Sequence, residues 1–128
     1  MASMVDRESV TRLVKQLLEL IARALKLKAE NKHGEALEVL ESGSLLLLGV
    51  DFRTLVLVDS ASGAELLKEV TRIRGFAQLL EAMAEVEASR GNARQALGRQ
   101  RHAAELYAEV LKRRPDDAEA KAALERLR

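Results

Sequence analysis

Ala103–Asp117, AAELYAEVLKRRPDD, joins a helical packing pattern to its own stop signal. Ala103, Tyr107, Val110 and Leu111 fall at i, i+4, i+7 and i+8, the stripe that a helix turns toward a core. Pro115 ends that helix, because its ring fixes φ and it lacks the N–H that the next turn needs. Pro115, Asp116 and Asp117 then open a last helix, Ala118 to Leu127, where acids suit the positive end of the helix dipole. The reading is helix, break, helix, and the same pattern extends upstream.

From Val5 to Glu30, Val10, Leu13, Val14, Leu17, Ile21 and Leu25 recur at helical spacing with no Gly or Pro between them. Leu18, Leu20, Ala24 and Leu27 widen the stripe beyond what one packing partner covers. Asn31, Lys32, His33 and Gly34 then supply turn chemistry. A second, antiparallel helix restarts at Glu35 and runs, buried through Leu45–Leu48, to about Gly49.

Asp51–Val58, DFRTLVLV, has the composition of a strand, but a lone strand among helices has no ladder partner, so the segment reads as a short helix or buried turn. Asp59, Ser60 and Ser62 are N-cap candidates for a short helix, Ala61 to Val70, with Leu66, Leu67 and Val70 facing inward. Gly75 marks the next break. Phe76, Leu79, Leu80, Met83 and Val86 give a helix to Ser89, and Arg90-Gly91-Asn92 closes it. A long helix, Asn92 to Arg114, follows and carries Gly98 at a cost of about 1 kcal/mol.

Composition supports one helical domain over residues 1–128. Of the 128 residues 48% are hydrophobic but only 2% aromatic, so the core is built from Leu, Val, Ile and Ala. A formal charge of +1 gives no global attraction to nucleic acid or to an anionic membrane surface, and no partner of either kind is expected. The chain has no cysteine, which removes disulfides, thiolate metal ligands and a cysteine nucleophile. The apolar run at 45–50 is far shorter than the roughly 20 residues that span a bilayer, and the N-terminus lacks a basic, then apolar, leader pattern. A cytoplasmic protein is expected.

Two helical hairpins align on their turns, with Leu20, Ala24, Leu27, Asn31, Ala36 and Leu40 set against Leu80, Ala84, Gly91, Ala96 and Ala103. The small residues Ala24, Ala36, Ala84 and Ala96 allow paired helices to approach closely. These features, with Ala103-x3-Tyr107-x7-Pro115 and the following Asp-Asp-Ala-Glu-Ala, resemble the tetratricopeptide repeat, a helix-turn-helix unit of about 34 residues. The departures are clear: Asn31 and Gly91 lie 60 positions apart, Gln100 stands where a core aromatic belongs, and the helix from 92 to 114 is about two turns too long. The order of long helix, GEALEVLES, LLLLGVDF, short helix and EVEASRGNARQAL is similar to a group of small uncharacterised bacterial tetratricopeptide-like proteins. The resemblance implies an all-α fold of antiparallel helical hairpins, a bundle or short solenoid of about six to seven helices. It also implies a scaffold that binds proteins.

No residues assemble a catalytic set, and no enzymatic activity, cofactor or metal is expected. His33 and His102 lack carboxylate or hydroxyl partners at a spacing that builds a triad or a metal site, and read as exposed structural histidines. Glu35, Glu38 and Glu41 share a helical face that reads as solvated. Ser60 and Ser62 read as caps rather than nucleophiles.

Two interaction surfaces remain. Arg90, Arg94, Arg99 and Arg101 form the one charge-biased stretch, with no acid between Glu87 and Glu105, and are candidate contacts for an acidic protein or peptide partner. The surplus apolar stripe of the first helix, Leu13, Leu17, Leu18, Ile21 and Leu25, is a candidate homodimer interface.

Overall fold

A computed structural model describes the backbone of Ala2–Leu127 and the side chains of residues 7–127. Among the described residues the structure is all-α, with seven helices and no strand: α1 (Ala2–Ala29), α2 (His33–Leu48), α3 (Phe52–Leu57), α4 (Ser60–Leu67), α5 (Val70–Ser89), α6 (Ala93–Arg113) and α7 (Ala118–Leu127). The expected all-α hairpin architecture is what the chain adopts.

The two hairpin turns repeat each other at the 60-residue offset. α1 ends at Ala29 and α5 at Ser89, while α2 starts at His33 and α6 at Ala93. Asn31 and Gly91 occupy equivalent left-handed positions, with φ 62° and 83°. The Lys32 amide donates to Leu27 O at 2.9 Å, and the Asn92 amide donates to Glu87 O at 2.8 Å. Asn and Gly are the residues that tolerate this backbone, so the turn chemistry sets both hairpins. The hairpins pack on each other through α5, which lies against both α1 and α2, and the small residues Ala24, Ala36, Ala84 and Ala96 are all buried.

α5 is the central helix, packed against α1, α2, α4 and α6. It is buried nearly all round, with Ile73, Phe76, Ala77, Leu79, Leu80, Met83 and Val86 in the core. Gly75 therefore does not break a helix, contrary to the expectation from sequence. It lies inside α5 where three helices meet, and a Cβ there would stand 3.0 Å from Leu17 Cδ2 and 3.3 Å from Leu48 Cδ2. The glycine serves close approach rather than chain reversal.

The break falls instead at Lys68, whose φ of 70° and ψ of −58° make a γ-turn, with the Glu69 amide donating to Leu67 O at 2.8 Å. Val70 accordingly starts α5 rather than ending α4.

The ambiguous 51–58 segment is helical. The Asp51 carboxylate accepts the Arg53 amide at 2.8 Å, and Phe52 and Leu55 are buried. α4 is capped by Asp59, which accepts the Ser62 amide at 2.7 Å; neither serine is the cap, and Ser60 Oγ instead donates to Glu105 of α6 at 2.6 Å. That amide bond, first among the causes, holds the Asp59 carboxyl below its ordinary value.

Two further expectations are corrected by burial. Leu45 and Leu46 are 53% and 74% exposed, because within the run only Leu48 falls fully on the buried side set by Ala36, Leu40, Gly43 and Ser44. Leu66 is likewise exposed, whereas Leu67 is buried. The Ala103, Tyr107 and Val110 stripe is buried as read, with Leu111 packed at its edge.

Candidate binding cleft

α1, α5 and α7 enclose an open cleft of about 360 Å³. Each helix contributes a stripe at helical spacing: Leu13, Val14, Leu17 and Leu18 from α1; Thr71, Arg74, Gln78 and Glu81 from α5; Glu119, Ala122, Ala123 and Arg126 from α7. Tyr107 of α6 completes the lining. The α1 wall is apolar, and Val14 and Leu18 expose 38% and 56% of their surface. The α7 wall is shallow because it presents two alanines.

The polar lining is held by two ionic clusters. Arg74 Nη1 donates to Asp117 at 2.6 Å and its Nε to Glu119 at 2.8 Å, which ties α5 to the start of α7. Asp117 is itself buried and caps α7, accepting the Ala120 amide at 2.9 Å. In the second cluster, Glu81 accepts both the Tyr107 hydroxyl and the Arg126 guanidinium. Burial, then the hydrogen bond to Glu81, pushes the Tyr107 phenol far above its ordinary value, so it remains a proton donor. The hydrogen bond to Glu81 also raises the Arg126 pKa.

The cleft thus joins an exposed aliphatic wall to hydrogen-bonding groups already oriented by their partners. Two guanidinium groups face three carboxylates, so neither sign dominates. Thr71 and Gln78 add neutral donors and acceptors.

The residues singled out from sequence are dispersed. Arg90 Nε pairs with Glu87 at 2.8 Å. Arg99 turns inward and lies over the Phe52 ring, 5.2 Å from its centroid, a cation–π contact that ties α6 to α3. Of the four arginines, Arg94 and Arg101 stand exposed on α6 with no ion pair among the described residues. Along α1, Leu17 is buried, Leu13 and Ile21 pack on the core edge, Leu25 is half-buried and Leu18 lines the cleft.

The histidines depart from the exposed expectation. His33 Nε2 lies 3.3 Å from Ser89 Oγ, linking the two turns. His102 is half-buried edge-on to Phe76, with ring centroids 5.7 Å apart, and burial lowers its pKa. Glu35, Glu38 and Glu41 are exposed, and among the described residues no group of acids and histidines is arranged to hold a metal ion.

Sequence reasoning missed Arg74, Glu81, Tyr107, Ala122 and Ala123 as cleft residues. A signal existed in α5, where Arg74, Gln78 and Glu81 interrupt an apolar helix at i, i+4 and i+7. Its meaning depends on α1 and α7 converging there, which is a long-range outcome. Among the described residues no helix is long and apolar enough to cross a membrane. Comparison with known proteins finds no family model, no curated protein and no solved structure that matches the chain.

Proposed function

We propose that this chain is a noncatalytic helical scaffold, cytoplasmic, that mediates protein–protein interaction by holding a helical or extended segment of a partner in the α1–α5–α7 cleft. The observation that carries the reading is the pairing of exposed Val14 and Leu18 with a fixed polar lining on the facing side. Apolar side chains of the partner cover the α1 wall, while its polar groups meet Gln78, Thr71 and the edges of the two ionic clusters. The alanines of α7 leave room for a helix to lie close, as small residues do wherever helices pack.

Selection of a displayed library of helical peptides against the wild-type chain tests this. Leu18→Glu places a charge on the exposed wall without removing a core side chain. Selected peptides should lose at least about tenfold in affinity for that variant, equivalent to roughly 1.4 kcal/mol. Peptides that bind Leu18→Glu as tightly as wild type would refute the cleft as the docking site.

A further inference from the structure

Away from the cleft, the chain carries two exposed helical faces of opposite charge, each with an exposed leucine. On α2, Glu38 and Glu41 are exposed and have no ion-pair partner among the described residues, and Leu45 is 53% exposed one turn beyond. On α6, Arg94 and Arg101 are exposed and have no ion-pair partner among the described residues, and they bracket Leu97, which is 47% exposed. Gly98 beside it has open space where a side chain would stand, so the backbone of α6 is accessible there.

The geometry points to a second copy of this chain as the partner of these faces: Glu38, Glu41 and Leu45 of one protomer dock on Arg94, Leu97 and Arg101 of its neighbour. Leu45 set against Leu97 fixes the register. Glu41 lies four residues before Leu45, while Arg94 and Arg101 lie three before and four after Leu97. Glu41 therefore meets an arginine whichever way the two helices run, since three or four residues is one helical turn. Glu38 lies one further turn along the same face. The contact removes two leucines from water and sets Glu41 against one arginine, which supplies apolar burial and orientation together.

The two faces are different patches, so each copy offers one of each. A pair that closes reciprocally stops at the dimer, and one that does not runs on. Either way, association rises with protein concentration and weakens with salt, because the pairs lie at the surface. The cleft plays no part in this contact, and its failure as a peptide site leaves the proposal intact.

Sedimentation and light scattering test it on the wild-type chain and two charge-reversed variants, Glu38→Arg/Glu41→Arg and Arg94→Glu/Arg101→Glu. At about 500 μM protein in low salt the wild type should exceed monomer mass, and moving from about 50 mM to about 500 mM salt should reduce the association. Each variant alone meets a like-charged face and should associate at least about tenfold more weakly. Mixed in equal amounts, they present complementary faces again and should recover association. Wild type that stays monomeric at about 500 μM overturns the proposal. So does association that survives the α6 reversal, which would place the acceptor elsewhere, for instance on the basic α1 residues Arg12 and Lys15. Failure of the mixture to recover association, with both variants folded by circular dichroism, overturns it as well.

Discussion

Replacing Asp117 should separate two jobs that one carboxylate performs between α5 and α7. Asp117 caps α7 through the Ala120 amide and neutralises Arg74, a guanidinium whose side chain is only 13% exposed. Asp117→Asn keeps a good capping acceptor and removes the charge. Asp117→Ala removes both. Loss of a cap costs about 1 kcal/mol, within a range of about 0.5–2. Breaking a buried ion pair costs about 3–5 kcal/mol when it strands a charge. Arg74 is not stranded, because Glu119 stays 2.8 Å from its Nε, but Glu119 is 68% exposed and compensates only in part. The charge component should therefore be about 1–2 kcal/mol, giving about 1–2 for Asp117→Asn and about 2–4 for Asp117→Ala. Urea unfolding followed by circular dichroism reads these values as shifts in midpoint at constant slope. Equal effects of the two substitutions would refute the capping role. Effects of both below about 0.5 kcal/mol would refute the ion pair as a tie between α5 and α7.

Three other outcomes follow from the same packing. Gly98→Ala should stabilise the fold by up to about 1 kcal/mol, because the site is open and helical, whereas Gly75→Ala should gain less or lose stability where its Cβ meets Leu17 and Leu48; thermal melts of the pair decide it. Leu48→Ala should cost about 2–5 kcal/mol and Leu46→Ala less than about 0.5, a contrast that denaturation measures directly and that reversed values would contradict. Burial lowers the His102 pKa, so the unfolded imidazole takes up a proton near pH 6.5 while the folded one remains neutral until lower pH. Stability from this group is present above about pH 6.5 and is lost as pH falls through the lowered folded value, and His102→Gln should remove that part of the slope below about pH 6.5.

The local grammar of the chain is legible where one residue type has one physical use. Asn31 and Gly91 mark left-handed turns, Pro115 stops α6, and the Ala103–Tyr107–Val110 stripe is buried because a 3.6-residue period admits one core face. The 51–58 segment resolves the same way, since its Val and Thr content yields to the absence of a strand to pair with.

Legibility ends where the same residue has two uses. Gly75 breaks a helix in isolation but sits within α5 to let Leu17 and Leu48 close in. Lys68 turns the chain with no Gly or Pro to announce it. The run Leu45–Leu48 is uniform in hydropathy, yet helix phase buries Leu48 and leaves Leu45 and Leu46 in solvent. The four arginines read as one stretch along the sequence, but phase turns Arg99 onto Phe52 and the α5 terminus pairs Arg90 with Glu87. The cleft was the least accessible of all, because its three stripes lie far apart in the sequence, at 13–18, 71–81 and 119–126, and acquire a common purpose only when α5 brings α1 and α7 together.

Methyl-resolved NMR during titration with a library-selected peptide tests the binding cleft most directly. Val14, Leu18, Ala122 and Ala123 should shift together and saturably, while Leu45, Leu46 and Leu97 stay in place. Shifts confined to Leu45, Leu46 and Leu97, with the α1 and α7 methyls unmoved, would contradict it and place partner binding on the other face of the protein.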